Sequence, residues 1–335
     1  MTGPGEQGSD DSGSGEDRLI ARFFKPIAKA PGALALTDDA AFIAPPPGCD
    51  IVLKTDAIVG GMHFFADDPA DFVARKALRV NLSDLASKGA RPLGFLLSLA
   101  LPKEIDEAWL AAFADGLKAD ADGYDCPLYG GDTDRTVGPV VISVSMIGTV
   151  PAGTMVRRAG ASAGDRVFVS GTIGDAALGL VIQKDATRHV SPAARDHLIA
   201  RYRLPQPRNV LAEAVRLHAS AAMDISDGLA GDLAKLCRVS GVGARIESAK
   251  VPLSDAAREL IDGDAALLET AFTGGDDYEV ICTVAPDKVS SFEKAAAQAG
   301  VPVHDIGEIV AGAGAVIFGP DAKPMALRQV SFSHF

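Results

Sequence analysis

The sequence predicts an α+β protein of two domains, and three observations lead there. The chain has 335 residues, and at roughly 150 residues per domain this length accommodates two hydrophobic cores. Stretches of strand and helix periodicity mix in both halves, without the strict βαβ succession of a doubly wound sheet and without a repeat of roughly 20 to 50 residues. Glycine and proline gather over 150–164 (VPAGTMVRRAGASAG), which marks a boundary between the halves. The predicted division is therefore a leader over 1–16, a first domain over 17–150 and a second over 151–335.

Each element has its own signal. Residues 1–16 are Gly, Ser and acid with no apolar period, the composition of a disordered leader. From Asp17 to Phe24 apolar residues fall at helical spacing until Pro26 ends them. A strand over Ile51–Asp56 is followed by a helix with Asp68 as N-cap, Pro69 at its first position and Gly89 as its stop; Phe72, Val73, Ala77, Leu78, Leu82 and Leu85 form its apolar face. Asp84 falls in the last turn of that helix. The macrodipole disfavours an anion there by roughly 0.3–1 kcal/mol, so Asp84 either pairs with a cation or serves a site. A strand over Leu93–Leu101, a helix over Glu104–Ala121, a short strand over Pro127–Tyr129 and a strand over Val140–Val150 complete the first half. The second half reads as strands over Arg166–Ser170, Ala221–Asp224, Ala244–Glu247, Tyr278–Val284, Val303–Val310 and Ala315–Phe318. Helices are expected after Gly174, over Leu229–Ser240 and over Lys288–Ala299.

Composition narrows the function. Lys and Arg number 32 against 44 Asp and Glu, a net charge of −12. That is a poor match for nucleic acid, whose affinity rests on neutralised phosphates, so no nucleic-acid partner is expected. Cys49, Cys126, Cys237 and Cys282 lie far apart with no C-x-x-C pair, which offers neither a zinc knuckle nor a disulfide framework and fits a reducing cytoplasm. The longest apolar run, Leu93–Leu101, is about half a membrane helix, and no basic-then-apolar signal opens the chain, so no membrane association is expected.

The feature that points to chemistry is a set of aspartates at strand ends or in Gly-rich stretches: Asp38-Asp39, Asp56, Asp84, GGD at 130–132, DISDG at 224–228 and GGDD at 274–277. Taken singly, each is more simply explained by capping and turn hydrogen bonds. Taken together they exceed what turns require. Carboxylates converging to about 4 Å repel by about 4 kcal/mol per pair at an effective dielectric near 20, so such a set demands cations. Oxygen donors without His or Cys select Mg²⁺ or Mn²⁺. No P-loop G-x-x-x-x-G-K-[ST] is present, nor a kinase H-R-D with D-F-G. GTIG at 171–174 is either a phosphate-binding turn or, more simply, a structural one. Arg157-Arg158 either neutralises a phosphoryl group or coats the surface, and His63, after Gly60-Gly61, is either a ligand or a structural loop residue.

The ordered run TDAIVGGMHF, NLSDLASKGA, GGDTDRT, RRAGASAGD, DISDGLAGDL and GGDDYE closely resembles the thiamine-monophosphate kinases, members of the aminoimidazole ribonucleotide synthetase-like superfamily, over about Asp17 to Phe335. The resemblance implies a homodimer whose N-terminal domains form a shared β-barrel, with a C-terminal α/β sandwich domain. It also implies direct in-line transfer of the γ-phosphoryl group of ATP to thiamine monophosphate, the last step to thiamine diphosphate, with several Mg²⁺ ions. By position it gives the metal to Asp39, Thr55, Asp56, Asp84, Asp132, Asp224 and Asp227. ATP falls to Gly131, Asp132, Arg158 and Ser226, and the thiamine phosphate to His63, Asp276 and Phe332; Asp132, Asp224 and Arg158 are the expected catalytic residues. Four positions depart from the family pattern: Lys54 for Ser, Ala57 for Thr, Asp134 for Thr and Asp276 for Glu. A lysine beside the carboxylates is expected to take one cation's place. The alternatives are another ATP-dependent synthetase of the superfamily or a non-catalytic Mg/ATP-binding module.

Overall fold

The computed structural model describes residues 15–328 and residue 331. The expected leader lies outside this range except for its last two residues, which belong to the first helix, α1 (Gly15–Leu19); a π-helical turn continues it through Phe24. The expected substrate residue Phe332 also lies outside the described residues.

The first domain is a mixed four-stranded sheet with helices on one face. Its strands are β1 (Cys49–Val59), β2 (Arg91–Leu101), β3 (Leu128–Arg135) and β4 (Val141–Pro151), in the order β1-β4-β2-β3. Only β2 and β3 run parallel. Alternation along β2 buries Phe95, Leu97, Leu99 and Leu101 against α2 (Ala70–Ser87) and α3 (Glu107–Gly123) and leaves Leu96 and Ser98 on the outer face. The outer face also carries Leu53, 74% exposed. Among the described residues this sheet is open, with β1 and β3 at its edges, and no barrel closes within one chain.

Two expected boundaries differ for physical reasons. Asp68 is not the N-cap of α2, because Pro69 takes that position; the Asp68 carboxylate instead accepts from the Phe65 N–H at 2.8 Å and pairs with Arg203 at 2.6 Å. The GGD segment, weighed above as a turn, is the middle of β3. A Cβ on Gly131 would lie 1.7 Å from the Leu97 carbonyl oxygen, so glycine is there for close approach of two strands.

The second domain is a mixed six-stranded sheet of β5 (Arg166–Ser170), β6 (Ala219–Asp224), β7 (Gly243–Glu247), β8 (Val280–Val284), β9 (Val303–Val310) and β10 (Gly314–Phe318), ordered β10-β7-β9-β5-β8-β6. Helices cover both faces. Val167, Val169 and Ile281 pack with α4 (Asp175–Lys184), α5 (Pro192–Arg203), α7 (Leu229–Ser240), α8 (Asp255–Gly263) and α9 (Leu267–Thr273). Phe168 and Cys282 face the other way, toward α6 (Ala212–His218) and α10 (Val289–Gln298). The sequence reading placed α4, α7 and α10 and omitted α5, α6, α8 and α9, which are short or weakly amphipathic.

α2 lies between the domains: 14 of its 18 residues are buried, including Lys76, Arg79, Asn81 and Ser83. A helix buried on every side sits inside the molecule, and its polar groups must find partners there. None of the helices among the described residues is long and apolar enough to cross a membrane, and all four cysteine thiols are free.

Candidate active site

A cavity of about 760 Å³ opens between the inner face of the first sheet, α2 and the loops of the second domain. Alternation on β1 turns Lys54 and Asp56 toward it, and α2 brings Asp84 beside them. The Lys54 ammonium lies 3.1 Å from Asp56 Oδ2 and 2.8 Å from Asp84 Oδ2. The anion at the unfavourable end of α2 is thus paired with a cation from the neighbouring strand. Burial works to lower the Lys54 pKa, but Asp84 and Asp56 outweigh it and the ammonium is held more firmly than usual. Burial raises the Asp56 carboxyl despite the same lysine.

Asp224 ends β6 and is 4% exposed. Its Oδ2 is buried without a hydrogen-bond partner among the described residues, and burial, then Asp84 and Asp232, push its carboxyl well above the usual range. Lys88 approaches from α2's C-terminal end, donating to the Ala222 carbonyl at 2.6 Å; burial brings its pKa down to about 8.

Two loops of the second domain meet at the cavity, and their motifs explain each other. Backbone bonds join Ile225 N–H to the Glu279 carbonyl, Tyr278 N–H to that of Ile225 and Asp276 N–H to that of Ser226, at 2.8, 2.8 and 2.9 Å. A Cβ on Gly275 would stand 2.3 Å from the Ser226 carbonyl oxygen, so the close approach needs glycine. Asp276 and Tyr278 have φ of 74° and 51°, the left-handed region that non-glycine residues seldom occupy and that concentrates at functional sites. From α7, Asp232 accepts the Ser226 and Asp227 N–H groups at 2.9 Å each, while Lys235 pairs with both Asp232 and Asp227.

His63, Arg158, Ser226, Asp227 and Asp276 all line this cavity. His63 Nδ1 accepts the Val59 N–H at 3.0 Å. Of the arginine pair, Arg158 lines the cavity and Arg157 does not. GTIG has the structural role: the Gly174 N–H donates to the buried Asp277 carboxylate at 2.7 Å.

Asp39, Gly131 and Asp132 line a second cavity of about 600 Å³. Register places Asp132 beside Ser98, Ser98 beside Ser143, and Ser143 beside Ala57, so Asp132 shares the outer face with Ala57. Asp56, one residue earlier, points inward. Thr55 is likewise outward, within 3.2 Å of Ser145 Oγ. Within one chain the expected metal residues therefore divide: Asp56, Asp84, Asp224 and Asp227 on the inner side, Asp39, Thr55 and Asp132 on the outer.

Among the described residues, no three or more His, Cys, Asp and Glu side chains gather closely enough to hold a metal ion by themselves. The donors fit Mg²⁺ bound in its usual way at phosphates, through one or two carboxylates with substrate oxygens supplying the rest, and the unpartnered Asp224 Oδ2 is such a donor.

Sequence reasoning missed Lys76, Lys88, Tyr202, Lys235 and Tyr278. Lys76 had a signal: it falls between Val73 and Val80 on the apolar side of α2, where a charge is out of place unless something buried meets it. Tyr202 had none, because α5 itself was not foreseen.

The chain matches the family models for the AIR synthase related protein N-terminal domain over residues 37–150 and C-terminal domain over 162–319. It is 43% identical over 314 residues to the thiamine-monophosphate kinase of Caulobacter vibrioides, covering 92% of this chain and 88% of that one. The thiamine-monophosphate kinase structure from Stenotrophomonas maltophilia K279a superposes with a TM-score of 0.82 at 37% identity, covering 92% of this chain and 96% of that one. AaThiL complexed with AMPPCP and TMP superposes with a TM-score of 0.77 at 29% identity, covering 96% and 94%. Sequence and fold agree, and the chain belongs to the thiamine-monophosphate kinase family of AIR synthase related proteins.

Proposed function

We propose that the protein transfers the γ-phosphoryl group of ATP to the phosphate of thiamine monophosphate, releasing ADP and thiamine diphosphate, in the cytoplasm. An acceptor phosphate oxygen forms the new bond to the γ-phosphorus as the bond to the β,γ-bridging oxygen breaks. The acceptor is already anionic, so positioning and charge neutralisation carry the reaction and no strong base is needed. The observation that carries this reading is the single cavity holding the buried, unpartnered Asp224 oxygen, Arg158, and the paired loops of Ser226 and Asp276.

In this reading Arg158 neutralises the transferred group, Gly131 and Ser226 contact ATP, and His63, Asp276 and Phe332 hold the thiamine phosphate. Asp39, Thr55, Asp56, Asp84, Asp132, Asp224 and Asp227 provide oxygen for Mg²⁺. Bound Mg²⁺ supplies charge neutralisation and alignment of the phosphates. Residues 17–150 form the nucleotide, metal and dimerisation domain, and 151–335 the second, sandwich domain.

The split between faces bears on assembly. Within one sheet Asp132 on β3 and Thr55 and Asp56 on β1 stand at opposite edges, but a second copy can bring a β3 edge against a β1 edge. Closing two four-stranded sheets into one barrel, with β1 of each beside β3 of the other, covers Leu53 and Leu96 and carries Asp132 of one copy to the β1 edge of its mate, on the face of Thr55, the residue that precedes Asp56. The homodimer is thus part of the catalytic proposal.

Incubation with ATP, Mg²⁺ and thiamine monophosphate, with thiamine as the control, tests the reaction. Thiamine diphosphate and ADP are expected in equal amounts, from the monophosphate alone. ATP and Mg²⁺ binding without turnover would instead favour a binding module.

A further inference from the structure

We propose that Lys76 is a positioning residue for the acceptor, joining the His63 loop of the first domain to Asp276 of the second. The inference rests on the kinase reading above.

Lys76 is 2% exposed in the middle of α2. Its ammonium donates to the His63 carbonyl at 2.9 Å and to Asp276 Oδ2 at 3.0 Å, and it stands 3.8 Å from the centroid of the Tyr202 ring. Tyr202 donates its own hydroxyl to the same His63 carbonyl at 3.2 Å. One buried charge therefore ties a loop, a strained turn and a helix that come from both domains. His63, Tyr202 and Asp276 all line the cavity, whereas Lys76 stands behind them.

Packing alone does not call for a lysine here. Burying an ammonium is costly unless pairing and hydrogen bonds compensate it, and an apolar residue of similar volume would fill the same place at less cost. What the ammonium adds is direction. It fixes one carboxylate oxygen of Asp276, whose left-handed backbone is already tied through its N–H to Ser226, and it fixes the carbonyl of the residue expected to hold the acceptor. Asp276 can then meet a cationic heteroaromatic phosphate ester with an oriented carboxylate. A cationic ligand gains most from a fixed acceptor, since the ordering is complete before it binds.

The test compares the parent, Lys76→Met and Lys76→Arg in full steady-state kinetics, together with melting temperatures. In Lys76→Met the KM for thiamine monophosphate is expected to rise about tenfold, with the ATP KM and kcat within about twofold of the parent. Lys76→Arg is expected to recover part of the loss, because it keeps the charge and the stacking on Tyr202. An unchanged acceptor KM, or an equal rise in both KM values, overturns the proposal, since a merely structural lysine does not distinguish the substrates. Should Lys76→Met fail to fold, Lys76→Gln keeps a polar donor of shorter reach and removes the charge that meets the His63 carbonyl and Asp276; a selective rise in acceptor KM supports the proposal and no rise overturns it. Parent turnover of thiamine monophosphate is measured first. A parent without it overturns the kinase reading and this proposal together, while an active parent and a variant with the parent's acceptor KM overturn this proposal alone.

Discussion

Lys54 sets the charge balance of the inner face. Its ammonium already offsets one of the two charges of Asp56 and Asp84, a place where carboxylates facing each other would otherwise draw a divalent ion. Lys54→Ser is therefore expected to bind one more Mn²⁺ per chain than the parent, counted by equilibrium dialysis with a non-hydrolysable ATP analogue; equal counts would refute the substitution of lysine for metal. Asp224 presents the opposite case, a carboxylate whose inner oxygen meets no partner. Asp224→Asn should abolish turnover and raise the melting temperature of the metal-free protein by about 1–3 °C, because it removes the cost of a buried carboxyl that burial and the neighbouring Asp84 and Asp232 disfavour as an anion. A lower melting temperature would mean that Asp224 holds the fold rather than the site. At this scale the sequence was informative for Asp84, marked by its place at the wrong end of a helix and paired with Lys54 in the structure, but it passed over Lys88 and Tyr278 although they stand in NLSDLASKGA and GGDDYE. It was silent on Tyr202, whose role depends on which segments meet in space.

The elements were legible where local signals agreed. α7 follows Gly228 and ends at Gly241, and its predicted and observed limits coincide at Leu229 and Ser240. β3 was cut short because its glycines look like turn residues to any local rule, while the constraint on Gly131 comes from a carbonyl on another strand. Gly131→Ala should destabilise the protein by about 1–3 kcal/mol through this overpacking. It should also weaken nucleotide binding, with thermal unfolding and calorimetric titration of an ATP analogue as the two measurements. Loss of neither would place the Gly131 strand outside the nucleotide site. α5 escaped notice since its apolar residues form no clear stripe, yet it supplies Tyr202, and through it the cavity gained a wall that no motif announced.

For the molecule as a whole, the α+β class and most of the strands were readable from the order of strand and helix signals, whereas their pairing into two sheets and the face on which each aspartate falls were not. The face depends on register, and a shift of one residue reverses it. Leu53, exposed in one chain on the face assigned to a second copy, tests the assembly. Leu53→Asp should sediment as a monomer with unchanged circular dichroism and no turnover, and an active monomer would overturn the shared barrel. The placement of Asp132 and Asp56 at opposite edges of one sheet has a further consequence in bulk solution. If each site is composite, activity per chain is not a constant of the protein. It falls on dilution below the dissociation constant of the pair, and equimolar mixing of inactive Asp132→Asn with inactive Asp224→Asn chains restores turnover, because half of the exchanged pairs contain one site with both carboxylates intact.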